Sequence, residues 1–161
     1  MTTKNDFTTQ EWEDLLQAPI LAGMVVIISD VSVTAMGREL KGLFNAILAQ
    51  DAPPDAQELV AAVVADYTAR AERNEKLEQP ELDNDGDPKQ QLMDQLKQNL
   101  SVLDTKSSPA EKAGFCTWLL QVAQATAEAG REGGFLGIGS VRVSDLEQAA
   151  LEELRQAFEL A

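Results

Sequence analysis

"REGGFLGIGSVRVSDLEQAALEELRQAF", Arg131 to Phe158, sets four glycines, five with Gly130, ahead of a run with helical spacing. Glycines in front of a helix suit either a phosphate cradle or a bend between two helices, and the two imply different folds. The stretch lacks what a phosphate loop needs. A dinucleotide fingerprint is G-x-G-x-x-G directly after a strand. Here Gly137-x-Gly139 meets Arg142 where the third glycine belongs, and an alanine-rich helical run precedes it. A P-loop closes on Gly-Lys followed by Ser or Thr, and the stretch contains no lysine. The mechanical reading fits instead. Gly130, Gly133 and Gly134 end one helix by taking up positive φ. Phe135, Leu136, Ile138 and Val141 fold inward onto the bundle as an apolar connector, and Ser144 starts the next helix.

Outward from this connector, helix starts are legible along the whole chain. Thr8-x-x-Glu11 is a capping box with Phe7 and Trp12 placed as a hydrophobic staple; it opens a helix over 9–29 that Pro19 kinks or splits. A second helix over 34–50 carries the apolar row Met36, Leu40, Leu43, Phe44, Ile47 and Leu48. Asp55-x-x-Glu58 starts a third, with Leu59, Val60, Val63, Val64 and Tyr67 facing inward. The charged run after Arg70 leads to an acidic loop over 79–87, expected to be mobile. Asp87, Pro88 and Gln90 read as N-cap, N1 and N3 of a fourth helix bearing Leu92, Leu96, Leu100 and Leu103. Ser108-Pro109-x-Glu111 opens a fifth, lined by Phe115, Trp118, Leu119, Val122 and Thr126. Ser144-x-x-Glu147 caps a sixth, with Leu146, Ala150, Leu154 and Phe158 as its stripe. Period-two alternation is almost absent, so the fold class is all-α. We expect one domain, 1–161, built as a compact bundle of about six helices with a Gly-rich apolar connector before the last.

The 161 residues suit a single domain, and a chain of this size buries roughly 70 % of its unfolded surface. Twenty-seven acids against 13 bases give a net charge of −14, which repels phosphate backbones and argues against nucleic acid as a partner. The chain has no histidine, so the usual general base and the commonest metal ligand are missing. An ion site here must use carboxylates and carbonyls, which favours calcium or magnesium. The single cysteine, Cys116, excludes an internal disulfide and reads as a buried structural thiol, since no histidine stands by to activate it. No basic stretch followed by an apolar run opens the chain, so no signal peptide is expected. The most apolar window, 18–28, is about half a bilayer span and reads as a core helix with no direct membrane insertion.

One further acidic stretch, "ELDNDGDPKQQL", places Asp83, Asp85 and Gly86 at positions three, five and six of an EF-hand loop begun at Glu81. Pro88 and Leu92 fall where an aliphatic residue and the bidentate glutamate belong. Asp83, Asp85 and Asp87 therefore form one candidate ligand set for a divalent cation, against a solvated acidic turn.

"VSDLE", Val143 to Glu147, together with Glu132-Gly133 and the "IISD" that ends the first helix at Asp30, resembles the TerB-like family, named for bacterial tellurite-resistance proteins. Val31 stands where that family's first loop has glycine, and Glu39 is a loose substitute for its glutamate. The resemblance implies an all-helical domain of two related halves, in a cytoplasmic protein associated with stress or tellurite resistance. It also implies divalent-cation binding through Asp30, Glu132 and Glu147, and membrane-associated resistance components as partners. For Glu147 the alternative is that it only completes its capping box with Ser144. The expected function is that of a non-enzymatic interaction adaptor responsive to calcium or magnesium. The alternative is a structural module that forms a homodimer or larger assembly through the leucine row of the fourth helix or through the second helix.

Overall fold

The structure, a computed structural model, describes residues 1–30, 36–49, 51–75, 80–129 and 143–160. Among these residues it is all-helical: α1 (Thr9–Ser29), α2 (Met36–Ala49), α3 (Gln57–Glu72), α4 (Pro88–Leu100), the single turn α5 (Leu103–Lys106), α6 (Pro109–Ala129) and α7 (Asp145–Ala157). Two 3-10 turns, Lys4–Asp6 and Pro54–Ala56, precede α1 and α3. The six longer helices match the expected number, and α5 is the turn that carries Leu103. The apolar connector expected over 130–142 lies outside the described residues.

The fold is organised around α1. Trp12, Leu15, Leu16, Ala18, Leu21, Ala22, Val25, Val26 and Ile27 are all buried and cover about two-thirds of the circumference, while Ile20, Met24 and Ile28 on the remaining side are apolar but half-buried. By length and composition alone α1 could span a membrane, yet 61 % of its most apolar window is buried within the protein. The other helices wrap it: α4 and α6 pack along it most extensively, α7, α2 and α3 less so, and α2 also lies along α6. The leucine row of α4 (Leu92, Leu96, Leu100, then Leu103) points into this core and is fully used there.

Pro19 sits inside α1, which continues through it as one helix. Proline has no N–H to give the carbonyl of Leu15. The carbonyls on either side of that position take side-chain donors from neighbouring helices. Asn99 Nδ2 on α4 donates to the Asp14 carbonyl at 2.9 Å, and the Tyr67 hydroxyl on α3 donates to the Leu16 carbonyl. The proline thus marks where two helices are keyed to α1.

Several expected details change. The box at Asp55 does not form: Asp55 lies in the 3-10 turn, and α3 starts after Ala56 with no side-chain cap. Glu111 is buried and accepts from the Thr2 amide at 2.7 Å and the Thr2 hydroxyl at 2.9 Å, tying the start of the chain to α6. Leu146 is exposed, because α7 turns Leu151 inward instead, beside Ala150, Leu154 and Phe158. In the acidic stretch, whose expected mobility is not addressed by these contacts, Leu82 packs on the core, the Asp83 amide donates to Gln91 Oε1 at 2.6 Å and Gln91 Nε2 donates to the Asp83 carbonyl at 3.0 Å.

Two backbone positions govern the packing and the ends. A Cβ at Gly42 of α2 would lie 2.3 Å from the Cβ of Ala129 on α6, an atom fixed to its own helix. Glu159, after α7, holds φ at 55°, with the Leu160 amide closing onto the Arg155 carbonyl at 3.1 Å. Gly42→Leu is expected to lower stability by about 1–3 kcal/mol, since overpacking must push α2 off α6. Glu159→Gly is expected to raise it by up to about 1 kcal/mol by removing left-handed strain, less the entropy of a freer unfolded chain. Chemical denaturation of both variants checks this, and a neutral Gly42→Leu would mean the two helices are not in close contact.

Candidate functional site

α2 has more apolar surface than the core takes up. At 100° per residue Leu40, Leu43, Phe44, Ile47 and Leu48 span an arc of about 140°, wider than the contact with α1 and α6 takes up. Leu43, Ala46 and Ile47 are buried against α1 and α6. Leu40, Phe44 and Leu48, spaced four residues apart up one side, remain 39 %, 47 % and 54 % exposed. They form one wall of an open groove of about 1190 Å³. Ile20 and Met24 of α1 form its floor, and Tyr67, Thr68, Ala71 and Glu72 of α3 line the opposite side, with Glu75 and Pro80 at the end.

The groove exists because α2 and α3 seat on different halves of α1. α2 approaches the C-terminal half, where a Cβ on Gly23 would lie 2.4 Å from Leu43 Cδ1. α3 is held to the N-terminal half by a polar lock. Asp66 accepts from Lys4 Nζ, from Trp12 Nε1 at 3.0 Å and from Arg70 Nε at 2.7 Å. Arg70 also forms a two-pronged pair with Glu13, Nη1 lying 2.9 Å from Oε2. Burial pushes the Asp66 carboxyl up, but donation from Lys4, Trp12 and Arg70 outweighs this and holds it at about 2. The Glu13 carboxylate, followed by Asp66, raises Arg70, so its guanidinium stays charged. Burial raises the Tyr67 phenol, which keeps its proton and donates it in a hydrogen bond to the Leu16 carbonyl. Lys106, with the Thr8 amide, holds the Glu11 carboxyl at about 2 at the start of α1.

The sequence-predicted ligands are placed as follows. Asp30 is the residue after α1 and half-buried. Glu147 is buried at the start of α7, its Oε2 accepting from the Ser144 amide at 2.7 Å, as a capping box requires. Glu132 lies outside the described residues. Asp83, Asp85 and Asp87 are exposed, and Asp87 caps α4 by accepting from the Lys89 and Gln90 amides. Among the described residues no three acids or cysteines stand close enough to hold an ion. Cys116 is buried, and that burial pushes its thiol up to about 11.

One wall of the groove was visible in the sequence as the apolar row of α2, named there also as an alternative surface for pairing between chains. The missed signal was width, since five large apolar side chains in nine residues exceed what one buried contact needs.

Asp66→Asn tests the lock through its pH dependence. A carboxyl held below its ordinary value stabilises the fold above that value and loses this as pH falls through the depressed one. The stability gap between the wild type and Asp66→Asn should be widest above pH 3.8 and close as pH approaches about 2. Thermal melts across that range check it, and a gap independent of pH would remove Asp66 from the lock. Compared with known proteins, the chain matches no family model, no curated protein and no solved structure.

Proposed function

We propose that this chain is a non-enzymatic interaction adaptor whose receptor surface is the groove between α2 and α3. The observation that carries this is the exposed row Leu40, Phe44 and Leu48, set opposite a second helix over an apolar floor. Contiguous apolar surface of this kind on a soluble fold marks sites where another molecule binds. The walls are two helices fixed independently on α1, so the groove is preformed and its occupant need not pay for shaping it. The likeness of Val143–Glu147 to TerB-like proteins supports a setting in stress or tellurite resistance, in the cytoplasm with partners at the membrane.

A second reading, self-assembly, rests on the same α2 row. The leucine row of α4 offers no surface for it, being buried in the core.

A photo-crosslinking benzoylphenylalanine at position 44, with a control at exposed position 94, separates the two in the native cell. A discrete adduct at 44 and not at 94, with a mass other than twice the chain, is the expected result. An adduct of twice the chain mass would replace it with self-assembly, and no adduct at 44 would remove both readings.

A further inference from the structure

Resting on the groove as a binding surface, we propose that its occupant is an amphipathic helix of a partner protein, with an apolar row flanked by lysine and arginine. Shape comes first. Leu40, Phe44 and Leu48 rise about 12 Å along α2, two helical turns. A space between two helices above a third accepts the ridge of another helix, read as anchors at i, i+4 and i+7.

Charge then decides which helix. Among the described residues that line the groove, Arg70 is the only basic side chain, and both its edges are taken by Glu13 and Asp66. Glu72 lies on the rim, exposed and, among the described residues, without an ion pair. Glu75 lies beside it and pairs with Arg73 at 2.7 Å, but both side chains are about half exposed, so that pair exchanges readily for another. Rim charges count because they act over a Debye length of about 8 Å on the part of an occupant that lies beside them. The chain as a whole carries −14, which adds attraction for a cationic partner during approach. A second copy is the poorer fit. A two-fold contact through α2 brings the same acidic rim of each copy towards the other.

Labelled helical peptides of about 18 residues, five turns, provide the test. One carries a leucine row flanked by lysine and arginine, a second the same row flanked by glutamate, and a third the basic flanks with serine in place of leucine. The basic apolar peptide should bind about tenfold or more tighter than the acidic one at low salt. That margin should shrink as salt rises from about 50 to 500 mM. Phe44→Asp and Leu48→Asp should abolish binding while leaving the melting curve unchanged, because both side chains are exposed. Glu72→Lys combined with Glu75→Lys should narrow the preference or reverse it.

Equal binding of the basic and acidic apolar peptides would overturn the charge assignment and leave the groove standing. Equal binding of the serine peptide to the wild type and to Phe44→Asp would mean only diffuse attraction to an acidic chain. Binding by none of the three, with light scattering at twice the chain mass, would assign the groove to a second copy.

Discussion

A helix that is apolar on every side cannot be left at a surface, and α1 imposes that demand on the rest of the chain. Each fully buried leucine, isoleucine or valine contributes roughly 1.5–3 kcal/mol on leaving water. Leu15, Leu16, Leu21, Val25, Val26 and Ile27 point in different directions around one axis, so no single neighbour satisfies them. α4, α6 and α7 close most of the circumference, and α2 and α3 share the remainder. The molecule is therefore a wrapped rod more than a set of equivalent helices. Pro19 fits this arrangement, because the carbonyls it disturbs lie inside the wrapping, within reach of Asn99 and Tyr67.

The sharing between α2 and α3 leaves the groove. α3 is fixed by charge, through Asp66 and Arg70, at the end of α1 near Trp12 and Glu13. α2 is fixed by close packing, at Gly23 against α1 and at Gly42 against α6. Two seats of different chemistry, a turn or more apart on the same rod, hold the helices separated over Ile20 and Met24. The lock acts together with the buried face of α3, Leu59, Val60, Val63 and Tyr67, in keeping that helix on its seat. The polar network thus helps maintain an apolar opening, although its own pairs are partly exposed and individually contribute little.

Local rules were legible in the sequence and interhelical ones were not. The capping boxes at Thr8 and Ser144 and the Asp87–Pro88 start are side-chain-to-backbone bonds a few residues long, and they form as their spacing implies. The box at Asp55 fails because Pro53 and Pro54 favour a 3-10 turn there, carrying Asp55 out of the cap position. On α7 the expected stripe takes Leu146 where the structure buries Leu151, since periodicity gives an apolar arc but not which part of it meets the core. The α2 row shows the same limit in its functional form. Sequence identified its members, but whether Phe44 faces α1 or solvent depends on where α3 is held, and Arg70 lies 57 residues from its partner Glu13.

The acids divide along the same lines. Glu11, Asp87, Glu111 and Glu147 each accept from backbone amides at the start of a helix or from Thr2, where the helix dipole favours negative charge. In a chain without histidine and with few bases, carboxylates serve as the main caps and ties. Such acids are committed to holding the fold, which is why Glu147 can look like a ligand in sequence and be occupied in the structure. The remaining acids stay outside and set the field around the molecule. A partner for the groove must cross that field before any apolar contact forms, so the sign of its flanks acts first, on the rate of encounter, and its apolar row acts second, on how long it stays.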